Sequence, residues 1–141
     1  MNAREAIYAA LFAKISAAPG FVTTSRRLKH WTDVPPSQQP ALYQSQRKEL
    51  AEQADGRPVR WIFELDLLVY VNVSTDRLPS TALNTQVDAV LATLVPDNQM
   101  TGKCTLGGIV THAWVEGTIE TDEGTLGNQA VAIIPIRIRA V

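Results

Sequence analysis

The chain of 141 residues contains one cysteine, Cys104. No disulfide can form within it, and no C-x-x-C pair offers a metal site or a redox couple. The fold must therefore be held by packing, and 45% hydrophobic residues supply enough material for a core at this length. Histidine is nearly as scarce, with only His30 and His112 present, far apart in sequence. A zinc site built from Cys104, His112 and two carboxylates has no spacing to mark it. A Cys–His nucleophile pair lacks a marked orienting group and oxyanion hole. Neither G-x-G-x-x-G nor G-x-x-x-x-G-K-[ST] occurs, and Leu106-Gly107-Gly108 reads as a tight turn or bulge, so no phosphate cradle and no cofactor are expected. No stretch reaches the roughly 18 uninterrupted apolar residues of a membrane helix. The opening MNAREAIYAALFAKISAAPG is broken by Arg4, Glu5 and Lys14 and makes a poor signal peptide. The chain reads as soluble and made in the cytoplasm.

Net charge is also lacking, at −1, which argues against bulk attraction to nucleic acid. The charge is unevenly placed. Residues 1–60 carry nine Lys and Arg against five Asp and Glu, a net of +4, while residues 61–141 carry four against nine, a net of −5. Opposed regions of this kind can bring copies of one chain together head to side.

What is present is periodic. Ala3, Ile7, Ala10, Leu11, Ile15 and Ala18 form one helical stripe, with Asn2 as N-cap, Glu5 completing a capping box, and Pro19-Gly20 as the stop. FVTTSRRLKHW reads as a short exposed strand. In QPALYQSQRKELAE, Ala41, Leu42 and Tyr43 suit a strand, and Lys48 to Glu52 suit a helical turn. In PVRWIFELDLLVYVNV, Trp61, Phe63, Leu65, Leu67, Val69, Val71 and Val73 alternate with more polar positions, predicting a long central strand wet on its second face. Leu83, Val87, Val90, Leu91 and Leu94 mark a second helix, capped by Ser80 or Thr81 and closed by Pro96. IVTHAWVEGTIET and QAVAIIPIRIRAV alternate as two further strands joined by a turn, and Pro135 predicts an edge or an irregularity. The order is α-β-β-β-α-β-β. It predicts a single α+β domain spanning the chain, with one mixed or antiparallel sheet and both amphipathic helices on one face.

Three sets of residues stand out as contact candidates. The stretch SRRLKHW places Arg26, Arg27 and Lys29 beside Trp31, a composition suited to phosphate contact and stacking or to a protein hot spot. Sequence-specific nucleic-acid binding is not expected, because the remaining chain is acidic. Residues at about 30–58 are rich in proline and read as an interaction arm, ordered when a partner packs on it. Trp31 and Tyr43 would anchor that arm and Arg47, Lys48 and Arg57 would charge it; alternatively, Trp31 and Tyr43 cap the sheet edge. Glu116, Glu120, Asp122 and Glu123 gather around the last hairpin. Their spacing is not that of a calcium loop, and they read as a solvated turn or as an acidic surface for a basic partner.

The segments REAIYAALFAKI, RRLKHWTDVPPSQQPALYQSQRKE, LDLLVYV, LNTQVDAVLATLVPD and TLGGIVTHAWVEGTIETDEGTLGNQAVAIIPIRI, in that order, carry a resemblance. So do the phrases W-x-x-V-x-x-x-x-Q-P-A-L from Trp31 and G-x-I-x-x-D-x-G-x-L from Gly117. Together they resemble the tail terminator (tail completion) proteins of long-tailed bacteriophages, the family of the phage lambda minor tail protein U. The resemblance covers nearly the whole chain and rests on segment order, so no individual site residue is carried over. It implies a small α/β sandwich without catalysis, located in the virion at the head-proximal end of the tail. It further implies self-association into a hexameric ring, contact with the major tail tube protein and with a head-completion or neck protein, and no membrane partner. A head-side neck or joining protein, another tail component, a small-ligand binding domain and a nucleic-acid module are the alternatives.

Overall fold

The protein is described from a computed structural model, which covers residues 3–123 and 127–141. Its centre is β3 (Arg60–Asn72), where strict alternation places Phe63, Leu65, Leu67, Val69 and Val71 on one buried face. β3 pairs antiparallel with β2 (Ala41–Glu52) on one side and with β6 (Gln129–Ala140) on the other. β1 (Thr23–Ser25) adds to β2 in parallel. β4 (Val110–Val115) and β5 (Glu120–Glu123) lie end to end along the far side of β6, both antiparallel to it. The result is one mixed sheet of six strands in the order β1-β2-β3-β6-β4, with β5 on β6 beyond β4. β3 and β4 run parallel with β6 between them, so the helix joining them is a crossover.

Both helices cover the same sheet face. α1 (Arg4–Ile15) buries Ile7, Tyr8, Leu11 and Ile15, and α2 (Pro79–Thr93) buries Leu83 and Val90; all of them join the inward residues of β3 and β6 in one core. The Tyr8 ring meets Phe63 at 5.5 Å. At the start of α1 the Arg4 guanidinium bonds Glu49 of β2 at 2.7 Å and lies 4.8 Å over the Trp61 ring. An exposed ion pair and a cation–π contact of this kind are each worth about 1 kcal/mol or less. The expected N-cap Asn2 lies outside the described residues. α2 begins with Pro79 at its first position, where a missing N–H costs nothing. Its next free donor, the Ser80 N–H, is taken by the Glu123 carboxylate at 2.5 Å, rather than by Ser80 or Thr81 capping their own helix.

The structure departs from the sequence expectation at three places. Lys48 to Glu52 are strand, because each residue from Lys48 pairs across to β3 and ladder pairing overrides their helical preference. A bulge at Arg47 absorbs one residue in that ladder. The stretch read as one strand from Ile109 splits into β4 and β5, so the order gains a strand. The break faces Pro135: Glu116 N–H donates to the Pro135 carbonyl, so the edge of Pro135 that lacks an N–H points into the gap and not into the β3 ladder. Gly117, at φ +113°, turns the chain there, and a Cβ on it would sit 3.3 Å from Pro135 Cγ. Finally, the proline-rich segment is not one arm. Residues 31–33 and 36–38 form two short 3₁₀ turns, 41–52 are β2, and only 53–59 remain as the turn of the β2–β3 hairpin.

Candidate functional site

The helices leave the second face of the sheet open. The positions of β3 that alternate with its core residues point there, as do Val131, Ile133, Pro135, Arg137 and Arg139 of β6, Ser45 and Lys48 of β2, and Glu120 of β5. The charges on this face are mostly matched within the chain. Arg47, thrown outward by the bulge, approaches Glu64 and Asp66 at 3.8 Å each, and Lys48 reaches Glu64 at 3.3 Å. Arg137 pairs with Glu116, which also accepts from the Trp114 indole N–H at 3.4 Å. Burial pushes the Asp66 carboxyl up, against the opposing pull of Arg47 and with a further push from Glu120 and Glu64. A shallow depression of about 440 Å³ runs among Arg47, Asp66, Glu120 and Pro135. No group of three or more metal-ligating side chains occurs among the described residues.

One end of this face is roofed by the chain itself. Val34, Ala41, Tyr43 and Tyr70 make a second small core there, with Trp31, Leu68 and Val131 packed against it. Three hydrogen bonds pin the roof. The Tyr70 hydroxyl donates to the Lys29 carbonyl at 2.7 Å, Gln129 Nε2 donates to the Trp31 carbonyl at 3.3 Å, and Gln39 Nε2 donates to the Val34 carbonyl at 2.9 Å. Burial holds the Tyr70 phenol at a pKa of about 12, so it stays a donor throughout the ordinary pH range. Beside the roof, half-buried Trp31, Val131 and Ile133 line a groove of about 330 Å³ whose rim carries Glu120 and Asp122.

The opposite end is the β2–β3 hairpin tip. Every residue from Gln46 to Arg60 is exposed. β1 covers the outer edge of β2 only from Ala41 to Tyr43, so beyond it the edge is open. The tip holds two apolar side chains in solvent, Leu50 at 43% and Val59 at 39% exposure, among charges of both signs, Glu52, Asp55, Arg57 and Arg60.

The sequence candidates are therefore redistributed. Arg26 does not belong to a free basic patch: its guanidinium forks onto both Glu5 oxygens at 2.6 and 3.0 Å, which lowers the Glu5 pKa. Arg27 and Lys29 lie near Tyr43 along the β1 edge. Tyr43, expected as an arm anchor, is 1% exposed against Tyr70 and serves the second core. Trp31 remains partly open. Glu120 and Asp122 line the groove, Glu116 pairs with Arg137, and Glu123 accepts from the Ser80 N–H. Cys104 and His112 do meet, but through the Cys104 backbone N–H donating to His112 Nδ1 at 3.1 Å. The thiol is buried, with its pKa raised by burial, and the His112 ring stacks on Trp114 at 4.8 Å. That arrangement orders a loop and offers no nucleophile.

Two features were missed in the sequence. Asp97 closes the loop before β4, accepting from Thr105 N–H at 2.7 Å and Gly107 N–H at 2.9 Å, and these bonds bring its carboxyl down to a pKa of about 2. The Asp97 to Gly107 spacing carries no motif that would have announced it. The apolar groove at Val131 and Ile133 was also unseen, since both residues read simply as alternating β6 positions.

No family model matches this chain, and no curated protein does. Solved structures of similar fold exist. One is a chain of the virion of a native gene transfer agent (GTA) particle, with a TM-score of 0.57 and 14% identity, the match covering 95% of this chain and 93% of that one. A second, whose description states no function, has a TM-score of 0.55 and 15% identity over 100% of this chain and 97% of its own. At these identities the likeness establishes the fold.

Proposed function

We propose that this protein is a non-enzymatic structural subunit of a phage-type virion that assembles with copies of itself at the head-proximal end of a tail tube. There it stops tube growth and presents the surface to which the head joins. The observation that carries this reading is the fold likeness to a chain of the gene transfer agent virion, which covers 95% of this chain and 93% of that one. The surface supports it. Part of one sheet face is uncovered, one strand edge is unpaired beyond Tyr43, and a hairpin projects apolar side chains into solvent, all of which suit assembly. Its partners would be the major tail tube protein on one side and a head-completion or neck protein on the other.

The test is to add the purified protein to its own tail tube protein during tube assembly and to measure tube lengths by electron microscopy. Shortened tubes with extra density at one end are expected. An unchanged length distribution with bare ends would refute the terminator role. Binding to portal or neck proteins in place of tubes would move the chain to the head side of the joint.

A further inference from the structure

We propose that the outer edge of β2 from Lys48 to Glu52 pairs antiparallel with the same edge of a second copy, about a two-fold axis at Leu50. This goes beyond the virion reading and does not depend on it. The edge is uncovered: β1 reaches only Ala41, Leu42 and Tyr43, and every residue from Gln46 to Glu52 is exposed. The direction of its main-chain groups follows from Pro135. That residue pairs with Asp66 and has no N–H to give it, so Asp66 turns its own N–H and C=O toward β2. Alternation along β3 turns Glu64, Ile62 and Arg60 the same way, and their partners Lys48, Leu50 and Glu52 face back toward them. Glu49 and Ala51 therefore hold their N–H and C=O outward, with no main-chain partner among the described residues. A row of that kind recognises another extended strand. The other edges offer less. In β4 the Ala113 N–H donates to the Cys104 carbonyl at 2.8 Å, and β5 is four residues long with carboxylates at Glu120, Asp122 and Glu123.

The side chains select the occupant. The bulge at Arg47 and the turn after Glu52 limit the run to Lys48–Glu52. A two-fold axis normal to the sheet sets each residue opposite one on its own face. Centred on Lys48, Glu49 or Glu52, it puts like charges opposite each other, which is unfavourable. Centred on Ala51, it sets Leu50 against Glu52. Centred on Leu50, it sets the two Leu50 side chains, each 43% exposed, against each other, and Glu52 against Lys48 of the second copy. Glu52 forms no ion pair among the described residues. Lys48 already lies 3.3 Å from Glu64 on β3, and its three donors can serve both carboxylates. Glu49, bonded to Arg4 on the helix side, then faces Ala51 of the second copy and no charge. In this register the outward groups exchange hydrogen bonds, Glu49 with Ala51 of the second copy and Ala51 with its Glu49. Such a contact is isologous: it closes at two copies and runs one sheet through both.

The register can be trapped, because the chain's only cysteine is buried at 0% exposure. Leu50 faces its own copy as a non-hydrogen-bonded pair, with Cα atoms about 4.5 Å apart, a spacing a disulfide spans. The purified Leu50→Cys chain should give disulfide-linked dimers under mild oxidation. Lys48→Cys should link poorly to itself and well to Glu52→Cys. Sedimentation equilibrium of the wild-type chain should show a monomer–dimer equilibrium, and Glu52→Lys, which sets a lysine against Lys48 of the second copy, should weaken it about tenfold or more. Ala51→Pro removes an outward N–H that β3 does not use, so it should abolish the dimer. Circular dichroism melts identify any variant that fails to fold; Glu52→Lys, at an exposed position, keeps the test decisive if Ala51→Pro does. A wild-type chain that stays monomeric, dimers that ignore both substitutions, or equal cross-linking at all three cysteine positions would overturn the edge contact. None of these results bears on the virion reading, which stands or falls on tube length.

Discussion

Replacing Tyr70 with phenylalanine isolates the bond that holds the 29–34 segment over the open sheet face. The hydroxyl donates to the Lys29 carbonyl at 2.7 Å, and the ring packs on Tyr43 with centroids 5.4 Å apart. Phenylalanine keeps the ring and loses only the donor, so the loss is that of one hydrogen bond, about 1 kcal/mol. A domain of this length unfolds with an entropy of about 0.3 kcal/mol per degree, so Tm should fall by about 3 °C. Tyr70→Ala removes the ring as well and opens a cavity among Val34, Ala41 and Tyr43, at about 3–5 kcal/mol and a Tm fall of roughly 10–15 °C.

Local release should exceed the global loss. Arg27 and Lys29 are exposed, so trypsin cleavage at these residues, followed well below Tm, reports the opening of the segment directly. The Phe variant should be cut several times faster there than wild type. The second clasp, Gln129 Nε2 on the Trp31 carbonyl, keeps Trp31 in place, and Tyr70→Phe combined with Gln129→Ala should release it too. If the Phe variant matches wild type in both Tm and cleavage, the hydroxyl is not what holds the roof. If Phe and Ala variants lose equally, the ring packing contributes nothing and the second core is misassigned.

Other perturbations bear on the rest of the fold. The Asp97 carboxyl sits at about 2, below its ordinary 3.8, so its stabilisation is present above pH 4 and is lost as pH falls from there toward 2. Tm measured at pH 7, 4 and 2.5 should fall less steeply for Asp97→Asn, which already lacks the charge, than for wild type; parallel curves would refute the assignment. Tyr8 and Tyr70 are held at about 12 and Tyr43 is also raised, all by burial, whereas the unfolded chain ionises near 10. Stability should hold up to pH 10 and fall from there to 12, with phenolate absorbance at 295 nm rising only as circular dichroism is lost; a reversible phenolate step near pH 10 in the folded protein would contradict this. Gly117→Ala forces a side chain onto φ +113° and against Pro135, at a cost of about 1–3 kcal/mol read from thermal melts. No change in Tm would mean the β4–β5 break does not need glycine.

The core was readable because burial on one face writes a period into the chain. The inward positions of β3 and the stripes of α1 and α2 are the residues that alternation and 3.6-residue spacing select, and they form one cluster. What escaped depends on partners distant in sequence. Lys48 to Glu52 have helical composition, and only the β3 residues opposite them make them strand. Tyr43 looks like a surface anchor beside Gln44, Ser45 and Gln46. It is buried because Trp31 and Val34 fold back over it, on the strength of hydrogen bonds to Tyr70, Gln129 and Gln39 that no local pattern encodes.

The same reason explains why the charge reading changed form. Counted along the chain, the first 60 residues are basic and the remainder acidic, which suggests two opposed patches. Antiparallel pairing sets β2 from the first part directly against β3 from the second, so Arg47 and Lys48 meet Glu64 and Asp66 within the molecule. Arg26 turns to Glu5, and Glu116 to Arg137. Each such pair is worth little to stability, but each removes a charge from the set available to a partner. At the hairpin tip the exposed charges are mixed in sign, Glu52 and Asp55 beside Arg57 and Arg60. The halves of the sequence therefore do not become two opposed charged surfaces, because the pairing that builds the sheet brings their charges together.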